Sequence, residues 1–181
     1  PVHQKAYKML PKMTFVLGGA ASRKSLWAEN LLLGSDLSPV YFATPLEIDD
    51  EIKLKINLHK KRRNRDWMNI EAETDLEKTP TSLPPEQAIL IGCATMWLAS
   101  QMMDDDDLDQ AKPALFSALT NCAAPVVSVS NEIGHGIVPD NALARRFREA
   151  QGRLNIALAE RANLVVFVTA SLPQVHKGHT P

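Results

Sequence analysis

Eight residues near the start of the chain, Gly18-Gly19-Ala20-Ala21-Ser22-Arg23-Lys24-Ser25, have the types and spacing of a phosphate-binding loop. In that chemistry, glycines let backbone N–H groups close around phosphate oxygens. A lysine neutralises the β- and γ-phosphates, and a serine hydroxyl holds Mg²⁺. Gly18, Lys24 and Ser25 fit the pattern G-x-x-x-x-G-K-[ST], but Arg23 stands where the second glycine belongs. Glycine there carries no Cβ and accepts backbone angles that arginine resists. An arginine offers a planar, multi-donor cation to phosphate oxygens instead. The expectation is a loop that still binds anions, in a geometry altered from the one phosphoryl transfer requires. The competing reading is a tight strand-to-helix turn with an exposed lysine.

A second group is His59-Lys60-Lys61-Arg62-Arg63. A neutral imidazole is a competent nucleophile near physiological pH. Four bases after it can neutralise a triphosphate. Taken alone, the same residues describe a solvated basic helix face. A third group is Asn131 and Glu132, followed by Gly134 and Gly136. A carboxylate there can orient a metal or a hydroxyl nucleophile, or simply close a turn. Arg145, Arg146 and Arg148 follow, either reaching a phosphate or a neighbouring subunit or making surface salt bridges.

These residues need elements to hold them. Apolar runs at Met13–Leu17, Pro39–Thr44, Ala88–Thr95 and Ala124–Gly134 read as strands, as do "WMNIEAE" and "NLVVFVTASLP". Between them lie helical patterns: about Lys24 to Leu33, the segment "DDEIKLKINLHKKRR", the short "TMWLASQMM", "KPALFSALTNC" opened by Pro113, and a long helix capped by Asp140 or Asn141. On the second of these, Ile52, Ile56, His59 and Arg63 share a face. "DDDDLDQ" reads as a solvated turn. Strands that are apolar throughout, alternating with helices, predict an α/β fold with a mainly parallel sheet covered on both faces. Ligands in such sheets sit at the carboxyl ends of the strands, where these motifs cluster. The expected organisation is an N-terminal tail up to Lys12 and one domain from residue 13 to 181.

Three stretches together resemble a known family. They are "GGAASRKS", "YFATPLEIDDEIKLKINLHKKRR" and "SNEIGHGIVPDNALARRFREAQGRLN". From Thr14 to about Lys177 the chain resembles the bifunctional adenosylcobinamide kinase / adenosylcobinamide-phosphate guanylyltransferases of cobalamin biosynthesis. The resemblance implies a RecA-like P-loop fold and a homotrimer. It implies that a nucleoside triphosphate, GTP or ATP with Mg²⁺, phosphorylates the aminopropanol hydroxyl of a corrinoid substrate, cobinamide. It further implies that a histidine attacks the α-phosphate of GTP and passes GMP to cobinamide phosphate; His59 matches that nucleophile. Nucleotide contacts carry over to Gly18, Gly19, Ala20, Ala21, Ser22, the variant Arg23, Lys24 and Ser25, with Ser25 the metal ligand. They also carry over to Ala43, Thr44, Lys60, Lys61, Arg62, Arg63 and Glu71.

Two positions depart from the family pattern. One is Arg23. The other is Gly92 in "ILIGCATMW", where the family carries an acidic residue at the end of a central strand. Glycine cannot organise Mg²⁺. Pro45 and Ile156 are lesser departures. A second reading follows, in which the chain is a catalytically impaired family member serving as a nucleotide-binding or assembly subunit.

The bulk numbers exclude other classes. A net charge of -1 gives no drive toward nucleic acid or anionic membranes. No apolar run approaches the ~20 residues that span a bilayer, and "PVHQKAYKML" lacks the core of a signal peptide. Cys93 and Cys122 in apolar surroundings fit free thiols in a reducing, cytoplasmic setting.

Overall fold

The computed structural model describes residues 9–44, 57, 61, 67–71, 82–103 and 108–181. Seven strands form one sheet: β1 (Met13–Gly18), β2 (Ser38–Ala43), β3 (Met68–Glu71), β4 (Gln87–Gly92), β5 (Val126–Asn131), β6 (Leu164–Thr169) and β7 (Leu172–Lys177). Their order across the sheet is β3-β2-β4-β5-β1-β6-β7. The first six are mutually parallel, while β7 pairs antiparallel with β6. The helices with described spans are α1 (Lys24–Leu33), α2 (Ala94–Met103), α3 (Leu108–Asn121) and α4 (Ala142–Arg161). Asn57 and Lys61 are helical, but His59 and the rest of the predicted 49–63 helix face lie outside the described residues.

Successive strand residues point to opposite faces, so each apolar strand feeds two cores. Phe15, Phe42, Ile89 and Ile91 join Trp97, Leu98, Leu115, Leu119, Leu154 and Leu158 on one face. Val16, Leu90, Val127, Val129 and Val166 join Ala28 and Leu32 of α1 on the other. This double burial is why the strands read as unbroken apolar runs. On α4, Ala150, Leu154 and Leu158 recur at the spacing that lays one stripe against the sheet.

Local signals explain most of the boundaries. The Asn141 side chain accepts from the backbone N–H groups of Leu143 at 2.8 Å and Ala144 at 3.2 Å, capping α4. Two expectations are corrected. Helix α3 starts at Leu108, so Pro113 lies inside it and does not open it. Leu108, Asp109 and Gln110, expected to end the solvated turn DDDDLDQ, belong to the helix instead. "NLVVFVTASLP" is not one strand but a hairpin, turning at Ala170 (φ 50°) and Ser171 (φ 69°). Positive φ at both turn residues matches the right-handed twist of the strands, but neither residue is the glycine or asparagine that signals such a turn. Residues 1–8 of the expected tail lie outside the described residues. Lys12 itself is anchored, its Nζ donating to Cys122 O at 2.6 Å and its carbonyl accepting from Val126 N at 3.0 Å.

Candidate phosphate-binding site

The loop between β1 and α1 is short because Gly18 ends the strand and Lys24 already begins the helix. Gly18 is required by packing: a Cβ there would stand 2.6 Å from both Ser22 Oγ and the Val168 carbonyl oxygen. The loop is tied down on both sides. Glu132 N donates to Gly18 O at 3.0 Å, and Ser171 N donates to Ser22 O at 3.0 Å. Ser22 Oγ is buried and has no hydrogen-bond partner among the described residues. A buried hydroxyl left unpaired costs about 1–3 kcal/mol.

Arg23 is the residue before α1 and sits in the left-handed region, φ 68° and ψ 18°. Ala21 is left-handed too, with φ 55°. The turn therefore keeps at residue 23 the backbone that glycine would adopt freely, and arginine is held in it. The Arg23 side chain is exposed and, among the described residues, forms no hydrogen bond or ion pair. Lys24 behaves differently. Its ammonium folds back over the loop and donates to Gly19 O at 3.0 Å. Burial pushes the Lys24 pKa below its ordinary value, and the charge of a Cys93 thiolate acts in the opposite direction. Lys24, at the start of α1, thus lies within electrostatic range of Cys93, the residue after β4. Ser25 lies in the first turn of α1.

At the end of β4, Gly92 leaves space that another residue fills. Tyr41 of β2 donates its hydroxyl to Gly92 O at 3.1 Å. A Cβ on residue 92 would stand 2.6 Å from Tyr41 Oη and 2.8 Å from a carbon of its ring. Thr44, one residue past β2, is buried and fastened to the same corner. Cys93 N donates to Thr44 Oγ1 at 3.1 Å, and that hydroxyl lies 3.2 Å from the carbonyls of Gly92 and Cys93. The peptide between Gly92 and Cys93 is cis.

A divalent cation bridging nucleotide phosphates draws oxygen ligands from the loop and from a carboxylate nearby. Ser25 has the hydroxyl for such a site. The end of β4 presents a glycine and a neutral phenol. Among the described residues no group of three His, Cys, Asp or Glu side chains is placed to hold a metal. At residue 92 the described residues therefore do not supply the carboxylate expected of the Mg²⁺ site.

The Asn131–Gly136 segment is held by side chains on α4. Arg148 donates to the carbonyls of Ile137 at 3.2 Å and of Gly134, and Arg145 to those of Pro139 at 2.9 Å and Asp140 at 2.6 Å. These arginines tie backbone rather than forming surface salt bridges. Glu132 accepts from Gly134 N, the role of a turn acid. Beneath lies a buried polar network. Ser130 Oγ donates to Asn155 Oδ1 at 2.8 Å and accepts from Gln151 Nε2 at 2.9 Å. Asn131 N donates to Thr95 Oγ1 at 2.9 Å, and Asn131 O accepts from Asn155 Nδ2 at 3.1 Å. Sequence reasoning missed Tyr41 and this network. Gln151 and Asn155, four apart on the apolar stripe of α4, were its one visible signal.

Gly18, Gly19, Ala20, Ala21, Ser22, Arg23, Lys24 and Ser25 thus come together at one strand end. Ala43 ends β2 and pairs with Glu71, the last residue of β3, two strands and more from the loop. Lys61 is exposed. His59, Lys60, Arg62 and Arg63 lie outside the described residues.

Comparison with known proteins places this geometry. Residues 14–175 match the sequence profile of a family described as cobinamide kinase / cobinamide phosphate guanyltransferase. The bifunctional adenosylcobalamin biosynthesis protein CobP of Pseudomonas aeruginosa is 37% identical over 166 residues, covering 90% of this chain and 96% of that protein. The protein CobU of Escherichia coli, with the same description, is 35% identical over 176 residues, covering 88% and 97%. Among solved structures, the flagellar accessory protein FlaH of Methanocaldococcus jannaschii superposes with a TM-score of 0.50 at 13% identity, covering 94% of this chain and 80% of that one. A type III secretion system ATPase from pathogenic bacteria gives 0.51 at 8% identity, covering 88% and 51%. At such identities the structural likeness speaks for the fold alone, a RecA-like α/β sheet.

Proposed function

The chain belongs to the cobinamide kinase / cobinamide phosphate guanyltransferase family of cobalamin biosynthesis, and on that premise we propose that its Gly18–Ser25 loop binds a nucleoside triphosphate for both family reactions. In the first, the aminopropanol hydroxyl of cobinamide attacks the γ-phosphorus, its proton leaves, and the nucleoside diphosphate departs. In the second, His59 attacks the α-phosphorus of GTP and pyrophosphate leaves. The GMP carried on the imidazole then passes to a phosphate oxygen of cobinamide phosphate, freeing His59.

The observation that carries this reading is the Lys24 ammonium folded over the loop onto Gly19 O at 3.0 Å, at the start of a helix. A lysine parked there exchanges one carbonyl for phosphate oxygens, and the helix N-terminus adds oriented N–H groups. The role of Lys24 is to neutralise charge developing on the transferred group. The role of His59 rests on its sequence match. The roles of Ala43, Lys60, Lys61, Arg62, Arg63 and Glu71 also rest on that match. For Thr44, the geometry supports a positioning role, because its hydroxyl is already engaged at Gly92–Cys93. Exposed Ile137, Val138 and Leu143 support assembly into a homotrimer. No described helix is long and apolar enough to cross a membrane, and two free cysteines support a reducing, cytoplasmic setting.

The test is chromatographic. Purified protein incubated with cobinamide and GTP is expected to yield cobinamide phosphate and then GDP-cobinamide. Absence of both products, with nucleotide saturating, would contradict the proposal.

A further inference from the structure

The misfit between the metal expected at this site and the residues present has a constructive side. Among the described residues the corner of the site at the end of β4 holds no carboxylate: residue 92 is glycine, and Tyr41 occupies the space a side chain would need. In the loop itself the chain carries one more cation than the pattern requires. Arg23 is exposed, without a partner among the described residues, and fixed at the first position before α1 by a left-handed backbone. Lys24 stands beside it, half-buried and satisfied by only one loop carbonyl. Ser22 Oγ, more than nine-tenths buried in the same loop, has no hydrogen-bond partner among the described residues. Relative to the family pattern an acid is missing at residue 92 and a cation is added at residue 23, next to the Lys24 that faces Cys93 at the end of β4.

From this pairing, and resting on the nucleotide-binding reading above, we infer that the chain holds nucleotide phosphates with its own cations, Arg23 and Lys24, in place of a metal anchored by a carboxylate. A nucleoside triphosphate without its metal carries close to four negative charges and needs that charge met by the protein. A guanidinium meets it with a planar set of donors that can bridge two phosphate oxygens. An ammonium meets it as a point charge. With an acid at residue 92 the same triphosphate would be repelled unless a divalent cation stood between them. With glycine and a neutral phenol there, that repulsion is gone. Arg23 is thus a specificity-determining residue that turns the site toward metal-free nucleotide.

Calorimetric titration with GTP and with ATP, in Mg²⁺ and then in a chelator, tests this. The wild-type affinity is expected to change by no more than about threefold between the two buffers. Arg23→Gln and Arg23→Gly are each expected to lose at least about tenfold in the chelator, the scale of one charged hydrogen bond. Arg23→Gly relieves the left-handed strain, so a folding defect does not confound it, and Arg23→Gln keeps the bulk without the charge. Wild-type binding that falls more than tenfold on chelation would overturn the inference while leaving nucleotide binding intact. Variants that bind metal-free nucleotide as well as wild type would overturn it too. No wild-type binding in either buffer would overturn the proposed function itself, and the inference with it.

Discussion

The hydroxyl of Tyr41 donates to the carbonyl of Gly92 at 3.1 Å, and a Cβ on residue 92 would stand 2.6 Å from that same oxygen. The two residues are one unit: the glycine exists in a space the tyrosine has taken. Restoring an acid at residue 92 therefore also requires the ring of Tyr41 to move.

Gly92→Asp alone is expected to destabilise the fold by about 1–3 kcal/mol, the cost of forcing a side chain into filled space. Tyr41→Leu beside it should recover part of that loss. The two changes are then non-additive, and urea unfolding of the two single variants and the double reads the coupling. Additive losses would show that Tyr41 does not hold the position.

Arg23→Gly is expected to stabilise the protein by about 1 kcal/mol, because a left-handed residue with a Cβ carries a cost of roughly 1–2 kcal/mol that glycine avoids. Arg23→Ala keeps the Cβ and should not show the gain. Denaturant midpoints at unchanged slope distinguish the two outcomes.

The pH dependence follows from Lys24, whose pKa burial lowers. Its folded pKa lies below the unfolded value, so between those two the unfolded chain binds more protons, and the apo protein gains stability as pH rises through that window. Nucleotide binding has the opposite sign, since a deprotonated lysine no longer attracts phosphate. Affinity should fall on the alkaline side at a lower pH than an ordinary lysine would give. In Lys24→Arg the alkaline loss should vanish, because guanidinium stays charged. Titrations across the alkaline range check both directions.

The network under the Asn131 loop gives a fourth expectation. Asn155→Ala removes the partner of Asn131 O, and one of the partners of Ser130 Oγ and of Gln151 Nε2, at once. Leaving buried polar groups unpaired costs about 1–3 kcal/mol. Because Asn131 pairs with Gly18 at the end of β1, the variant should lower kcat for phosphoryl transfer more than it weakens nucleotide binding. Equal effects on both would mean that the network only supports the fold.

Much of this was legible in the sequence. The strands that feed two cores announce themselves as unbroken apolar runs, and Asp140-Asn141 marks the start of α4 by residue type, with the structure selecting Asn141. The phosphate loop was readable from Gly18, Lys24 and Ser25, and the left-handed strain at Arg23 from the glycine it replaces. What could not be read depends on contacts between distant parts of the chain. Tyr41 looks like one more aromatic in a strand until β2 and β4 pair and bring it over Gly92. Arg145 and Arg148 look like surface charges until the 134–140 backbone folds under them. The hairpin at Ala170-Ser171 was hidden because those residues carry no preference for positive φ, and tertiary pairing of β6 with β7 imposes it.

The most direct test of the whole account is the mass of the intact protein after incubation with GTP. A single GMP adduct is expected on the wild type, stable to alkali as a phosphoramidate is, absent from His59→Ala and reduced in Lys24→Ala. A wild-type chain that acquires no adduct at saturating GTP, with or without Mg²⁺, would contradict the account.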